Sequence, residues 1–159
     1  MLSLSLSLLQ VSCLISKSHG SQKGGPMIRS SLKSNSKHYS LFQTGHGTLV
    51  TQWRQAASAD TSSSKSETSH AWLKIAKKGS LFSSYFSTDG ISWELLSGPE
   101  ALNFGDFFFV GIAVSSGTNA KSVVFKGGEC PGLCHMSLHA ASQSSSALSC
   151  IIYTIQTTL

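Results

Sequence analysis

Carboxyl groups are the first candidates for chemistry in this 159-residue sequence, because a glycosidase needs two of them flanking the bond that it cleaves. None of the acidic residues is part of a Glu-x-Asp-x-x-Glu run. Histidines at 38, 46 and 70 lie in or near predicted loops, and the sequence has neither a Gly-x-Ser-x-Gly nucleophile motif nor a glycine-rich phosphate loop. We therefore expect neither a catalytic site nor a cofactor. The seven acidic residues are Asp60, Glu67, Asp89, Glu94, Glu100, Asp106 and Glu129.

Cysteine and histidine side chains offer a second kind of site, a metal centre. Cys130 and Cys134, with His135 and His139, supply two thiolates and two imidazoles that would suit tetrahedral zinc. Their spacing departs from the common zinc patterns, because the two cysteines are one residue too far apart and His135 directly follows Cys134. We therefore expect no metal, and we interpret the segment from Gly128 to the C-terminus as a Ser-rich tail.

Composition favours β structure. The chain is long enough for one core, only 12% of its residues are charged, and 33 are serine, whereas coiled coils and long solvated helices need abundant Glu, Lys and Arg. A net charge of +5 with two arginines, Arg29 and Arg54, is too small and too scattered for a nucleic-acid-binding surface. We expect an all-β protein with no nucleic-acid partner.

The two ends of the chain differ from its middle. Residues 1–23 begin with alternating Leu and Ser, are too short to span a bilayer, and have no Lys or Arg before the apolar stretch. They are interpreted either as a low-complexity leader or as a signal peptide cleaved after Gly20, so the protein is secreted in one case and cytoplasmic in the other. Residues 128–159 are interpreted as a disordered tail, which leaves 24–127 as the folded module.

Short strands with recognisable turns fill residues 24–127. Turns are expected at Thr44-Gly45-His46-Gly47, at Lys78-Gly79 and at Asp89-Gly90, because glycine adopts positive φ easily. Residues 55–69 are expected to form one long polar loop. The predicted strands are Met27–Ser30, Lys37–Gln43, Thr48–Arg54, Ala71–Lys77, Leu81–Ser87, Ser92–Leu96, Phe107–Ser115 and Lys121–Lys126.

Five blocks in this order carry a family resemblance: GPMIRSSL (25–32), TQWR (51–54), WLKI (72–75), FSSYFSTDGISW (82–93) and VGIAVS (110–115). Together they resemble a concanavalin-A-like lectin/glucanase jelly-roll domain of uncharacterised function, in a group that includes regulation-of-enolase-type proteins. The resemblance implies an antiparallel β-sandwich. It covers the C-terminal part of such a module, and an incomplete sandwich would leave an open sheet edge for self-association.

Period-two alternation separates core residues from candidate ligand-binding residues. Alternation places Leu73 and Ile75 in the core, with Val110, Ile112 and Val114, and the resemblance adds Trp53. The small side chains of Gly111, Ala113 and Ser115, beside Phe109, would floor a groove on the other face. One sheet face is expected to carry the candidate ligand-binding residues Arg29, Gln52, Arg54, Trp72 and Tyr85, with Lys74 among them.

Sugars stack on aromatic rings while amide and guanidinium groups bind their hydroxyls, so this face suits a polysaccharide or glycan partner. The alternative is that Trp72 and Tyr85 form a cross-strand pair that only stabilises the sheet. The sequence therefore predicts a noncatalytic carbohydrate-binding module. Two alternatives are an intracellular protein-interaction or regulatory protein of carbohydrate metabolism and a nonfunctional truncated fragment.

The segment Ser87-Thr88-Asp89-Gly90-Ile91-Ser92-Trp93 resembles the Asp-box hairpin of sialidases, with one residue fewer. We expect a structural role for it. Asp89 would accept hydrogen bonds from turn amides, Gly90 would take a turn conformation, and Trp93 would pack at the base of the hairpin.

Overall fold

The protein is an antiparallel β-sandwich, which confirms the predicted all-β class. Every regular element in the described chain is a strand, and all strand pairs are antiparallel. Within the same residues, no helix is long and apolar enough to cross a membrane. The computed structural model describes residues 6–15, 22–66, 72–105, 107–115, 123–127 and 148–154.

The two sheets contain five and six strands. The five-stranded sheet consists of β1 (Leu6–Ile15), β6 (Trp72–Lys78), β7 (Leu81–Ser87), β8 (Glu94–Ala101) and β10 (Val123–Gly127). Its order is β10-β1-β6-β7-β8. The six-stranded sheet consists of β2 (Lys23–Arg29), β3 (His38–Thr44), β4 (Leu49–Arg54), β5 (Ser62–Ser66), β9 (Phe109–Ser115) and β11 (Leu148–Thr154). Its order is β11-β9-β2-β3-β4-β5.

All eight strands predicted from the sequence overlap an observed strand. The predicted polar loop at 55–69 is wrong for Ser62–Ser66, which forms β5 and pairs with β4 from Trp53↔Ser62 to Leu49↔Ser66. Backbone hydrogen bonds make this pairing, and a serine-rich stretch carries no hydrophobic alternation that would reveal it.

Strands also occur on both sides of the predicted 24–127 module. β1 lies in the predicted leader and pairs with β6 and β10, and β11 lies in the predicted tail and pairs with β9. The Leu and Ser alternation at the N-terminus has the period of a strand, which explains why this segment suits a sheet. The sandwich therefore extends beyond the boundaries expected from the sequence.

The hydrophobic core fills the space between the two inner faces. The predicted core residues Leu73, Ile75, Val110 and Ile112 are all buried there, and Trp53 and Val114 are partly buried and packed against it. The other buried core residues are Ile28, Tyr39, Leu41, Leu49, Phe82, Leu102, Phe104 and Phe108. Leu73 and Ile75 point inward, so the residues that alternate with them face away from the core.

A polar bridge crosses this core and joins the two sheets. The hydroxyls of Thr51 on β4 and Ser84 on β7 lie 2.7 Å apart, and both residues are fully buried. Ser84 and the hydroxyl of Tyr39 both donate to the carbonyl of Ser97, at 3.4 Å in each case. Burial raises the pKa of Tyr39 to about 12, so its hydroxyl stays protonated.

Removing one partner of this bridge should lower the stability by more than the hydrogen bond contributes, because it leaves the other buried hydroxyl without its partner. We expect Thr51→Val and Ser84→Ala each to lower the free energy of unfolding by about 1–2 kcal/mol. The double variant should lose at least about 0.5 kcal/mol less than the two single losses together, because the hydroxyls contact each other. Urea unfolding of the four proteins measures this coupling, and strictly additive losses would show that the two hydroxyls do not interact.

Candidate functional site

The five candidate ligand-binding residues do not share a face, so the predicted single site is wrong. Arg29, Gln52 and Arg54 lie on β2 and β4 of the six-stranded sheet, whereas Trp72 and Tyr85 lie on β6 and β7 of the five-stranded sheet. In each sheet the core residues alternate with these side chains and point the other way. The two groups therefore occupy the opposite outer faces of the sandwich.

Two aromatic residues near the outer face of the five-stranded sheet contact Lys74, and a third packs on a nearby turn. The ammonium of Lys74 lies 5.0 Å from the ring centre of Tyr85 and 4.1 Å from that of Trp93. Burial lowers the pKa of Lys74. The Trp72 ring packs on the turn at Gly90, where an added Cβ would come within 3.0 Å of it. Trp72 and Trp93 thus make structural contacts. Trp72 pairs with Ser87 and Tyr85 pairs with Lys74, so Trp72 and Tyr85 are not directly opposite each other as the alternative interpretation expected.

The turn after β7 is held by the Asp89 carboxylate. Its Oδ1 accepts hydrogen bonds from the amides of Ile91 and Ser92, at 2.7 and 2.8 Å, and from the Ser87 hydroxyl at 2.7 Å. The hydrogen bond from Ser87, followed by those from the two amides, lowers the pKa of Asp89 well below its usual range. Gly90 has φ +76°, the left-handed conformation that glycine adopts without strain.

The same outer face has a pocket of about 300 Å³ between β6, β7 and β8. Its side chains are largely apolar, and two of them, Leu81 and Leu95, are 42% and 56% exposed. The lining residues are Ala76, Lys78, Leu81, Ser83, Tyr85, Leu95 and Pro99. Apart from Tyr85, none of the sequence-predicted ligand residues contributes to this pocket.

The outer face of the six-stranded sheet carries the polar candidates in a ladder across three strands. Arg29 on β2 pairs with His38 on β3, and His38 pairs with Arg54 on β4. Two residues further along β3, Ser40 pairs with Gln52 on β4. Residues directly opposite in antiparallel strands have their side chains side by side, so two guanidinium groups flank one imidazole.

An open pocket of about 280 Å³ lies over this ladder. Met27 and Phe42 form its apolar floor and make a small buried cluster with Ala113, one of the small residues expected to floor a groove. Four of its lining residues are basic and none is acidic within the described chain. The lining consists of Lys23, Met27, Arg29, Ser34, His38, Phe42, Gln52, Arg54 and Thr61.

Loop carbonyls fix the two guanidinium groups. The Ser34 carbonyl accepts a hydrogen bond from Arg29 at 3.2 Å and from Arg54 at 3.1 Å, so one oxygen draws both side chains together. Arg29 also donates to the Lys33 carbonyl at 2.6 Å and to the Ser36 hydroxyl at 3.1 Å. These contacts hold both groups in place before any ligand arrives.

His38 is neutral at physiological pH. It is only 8% exposed, and burial, followed by the charges of Arg54 and Arg29, lowers its pKa to about 4, while a hydrogen bond to the backbone of Ser36 opposes the shift. A neutral imidazole has one nitrogen that donates a hydrogen bond and one that accepts. The pocket therefore contains an acceptor beside its two guanidinium donors.

Lys23 closes the other end of the pocket. Its ammonium lies 5.0 Å from the centre of the Phe42 ring and donates to the side-chain oxygen of Gln52 at 2.9 Å. Burial lowers the pKa of Lys23. Phe42 lies beneath this ammonium and is only 2% exposed, so its ring offers no stacking surface. A ligand would therefore contact the polar side chains of the pocket.

Sequence reasoning missed Lys23, His38 and Phe42 as members of this site. His38 alternates with buried Tyr39, and Lys23 lies two residues before Gly25 on the same strand face. Once the strand pairing was known, these positions would have placed both side chains on the same sheet face as Arg29. The metal candidates at 130–139 lie outside the described residues, and within the described residues no group of three His, Cys, Asp or Glu side chains could hold a metal. Comparison of the chain with protein-family models, with curated proteins and with solved structures found no match.

Proposed function

We propose that the protein is a noncatalytic carbohydrate-binding module of the concanavalin-A-like kind, which binds a glycan in the pocket on the outer face of the six-stranded sheet. The observation that carries this proposal is the preformed set of hydrogen-bonding side chains over Met27 and Phe42. Amide, imidazole, hydroxyl and guanidinium groups match the hydroxyls at the edge of a sugar ring.

The size and composition of the pocket support binding over hydrolysis. At about 280 Å³ it lies just below the range of small-molecule sites, roughly 300–1,000 Å³, so it suits one sugar residue of a longer chain. A glycosidase would place two carboxyl groups about 5–9.5 Å apart around the bond, and no acidic side chain lines this pocket in the described chain.

A second candidate function, protein interaction, is favoured by the apolar pocket of the five-stranded sheet. Leu81 and Leu95 are exposed there beside Tyr85 and Pro99, and such patches occur at protein interfaces. A regulatory protein that acts through a partner would bind that partner on this face and would not need the basic pocket. The two functions are therefore separable by substitutions on opposite faces.

We expect Gln52→Ala to weaken glycan binding about five- to tenfold, because it removes a pocket hydrogen bond, and Trp72→Ala to change it less than twofold. The measurement is isothermal titration calorimetry of both variants and the unsubstituted protein against a panel of neutral and acidic oligosaccharides. Loss of binding in Trp72→Ala with full binding in Gln52→Ala would move the site to the other sheet. Absence of binding across the panel would refute the proposed function.

A further inference from the structure

The charge of the pocket exceeds what a neutral sugar requires. Lys23, Arg29 and Arg54 are cationic and His38 is neutral, and no carboxylate lines the same cavity within the described residues. Each of these cations is partly withdrawn from water, and a buried positive charge is stabilised by an anion. The charge thus points to the chemical class of the ligand.

Arg54 has the donors that an anion would use. Within the described chain its two terminal nitrogens each make one hydrogen bond, to the Ser34 carbonyl at 3.1 Å and to the Thr61 hydroxyl at 3.2 Å. Each of these nitrogens carries two N–H groups, so one on each remains to be donated. The Nε atom of Arg54 is also buried without a hydrogen-bond partner. Arg54 is therefore held in position and incompletely satisfied.

The neighbouring groups strengthen this arrangement. Arg29 shares the Ser34 carbonyl with Arg54, so two positive charges converge on one uncharged oxygen. His38 lies between them in the ladder, and both charges lower its pKa. A bound anion between them would relieve this repulsion.

We propose that the pocket binds an acidic sugar residue and that Arg54 donates to its carboxylate, with Lys23 and Arg29 supplying the surrounding positive charge. This inference rests on the proposed carbohydrate-binding function and names its ligand class. A carboxylate is planar and matches the two parallel N–H groups of a guanidinium, and the neutral His38 and Gln52 remain for the sugar hydroxyls. The volume of about 280 Å³ suits a single such residue.

The experiment compares a galacturonate oligomer with its methyl ester, because esterification removes the charge and keeps the sugar. Calorimetry at 0.15 M salt, roughly the physiological ionic strength, reduces contributions from distant surface charges. The variants are Arg54→Gln, Arg54→Lys and the control Lys78→Gln, which removes the same charge from an exposed position on the other sheet. A sulfated galactose oligomer and polyphosphate test other anions.

We expect the acid to bind at least about tenfold more tightly than the ester, and Arg54→Gln to abolish this preference. Arg54→Lys should restore it in part, and Lys78→Gln should leave it within twofold. The acid and ester comparison uses the unsubstituted protein, so it stands even where a variant fails to fold.

Four results would overturn the inference. Equal binding of acid and ester, with Gln52→Ala still harmful, would refute the acidic ligand and keep the carbohydrate-binding function. Equal binding of polyphosphate and the uronate, or tighter binding of the sulfated oligomer, would refute the carboxylate. Failure of every oligosaccharide to bind would refute both the inference and the proposed function.

Discussion

Replacing Gly25 with alanine should lower the free energy of unfolding by more than about 3 kcal/mol, which is an exceptionally large loss for one methyl group. A Cβ at Gly25 would lie 2.0 Å from the backbone oxygen of Leu41. Because that neighbour is backbone in the adjacent strand β3, β2 and β3 must separate to admit the methyl group. Lys23 and Met27 flank this position on β2, so the pocket loses its framework as well.

Gly79→Ala is the matched control for this prediction. Gly79 has φ +60° and no atom within 4 Å of an added Cβ, so its replacement should cost only the left-handed strain, about 1–2 kcal/mol. Urea unfolding of both variants and the unsubstituted protein gives the comparison. It also tests the fragment alternative, because a nonfunctional fragment would show no cooperative transition. Equal losses at Gly25 and Gly79 would contradict the close approach of β2 to β3.

Acidification should destabilise the protein through His38. The folded-state pKa is about 4 and the ordinary value is 6.5, so between these limits the unfolded chain binds a proton that the folded chain rejects. Stability is therefore fully present above about pH 6.5 and falls as the pH drops toward 4. By linkage the loss attributable to His38 is about 2–3 kcal/mol.

The measurement is the free energy of unfolding in urea at pH 7 and at pH 4.5 for the unsubstituted protein and for His38→Gln. Other groups titrate over the same range, and the glutamine variant retains them, so the difference between the two pH profiles isolates His38. Between pH 7 and pH 4.5 the free energy of unfolding should fall less in the variant than in the unsubstituted protein. The difference should equal most of the loss predicted for His38. Parallel profiles would mean that His38 titrates normally and is accessible to water, in conflict with its place between Arg29 and Arg54.

Most strand positions follow from the sequence because burial of one face imposes a period of two. Leu73 and Ile75 alternate with Trp72 and Lys74, and both aliphatic residues are fully buried in the core as predicted. Trp53 packs against that core. Local pattern thus determines the direction of a side chain relative to its own strand.

The site could not be predicted in the same way, because strand alternation does not say which sheet a strand joins. Gln52 and Trp72 both point away from the core, yet their strands lie in different sheets. The division of strands between the two sheets depends on pairing between segments far apart in the sequence, such as β2 with β9. Local periodicity does not encode these pairings. The position of His38 between both arginines likewise arises only when β2, β3 and β4 pair in register.

A map of the glycan-binding surface tests the proposed function most directly. Two-dimensional NMR of the ¹⁵N-labelled protein, titrated with a galacturonate oligomer, reports the backbone amides that change on binding. We expect saturable shifts centred on Arg29, His38, Gln52 and Arg54, with the amides of β6 and β7 unaffected. Shifts centred on Trp72 and Tyr85 would contradict this expectation and assign ligand binding to the five-stranded sheet.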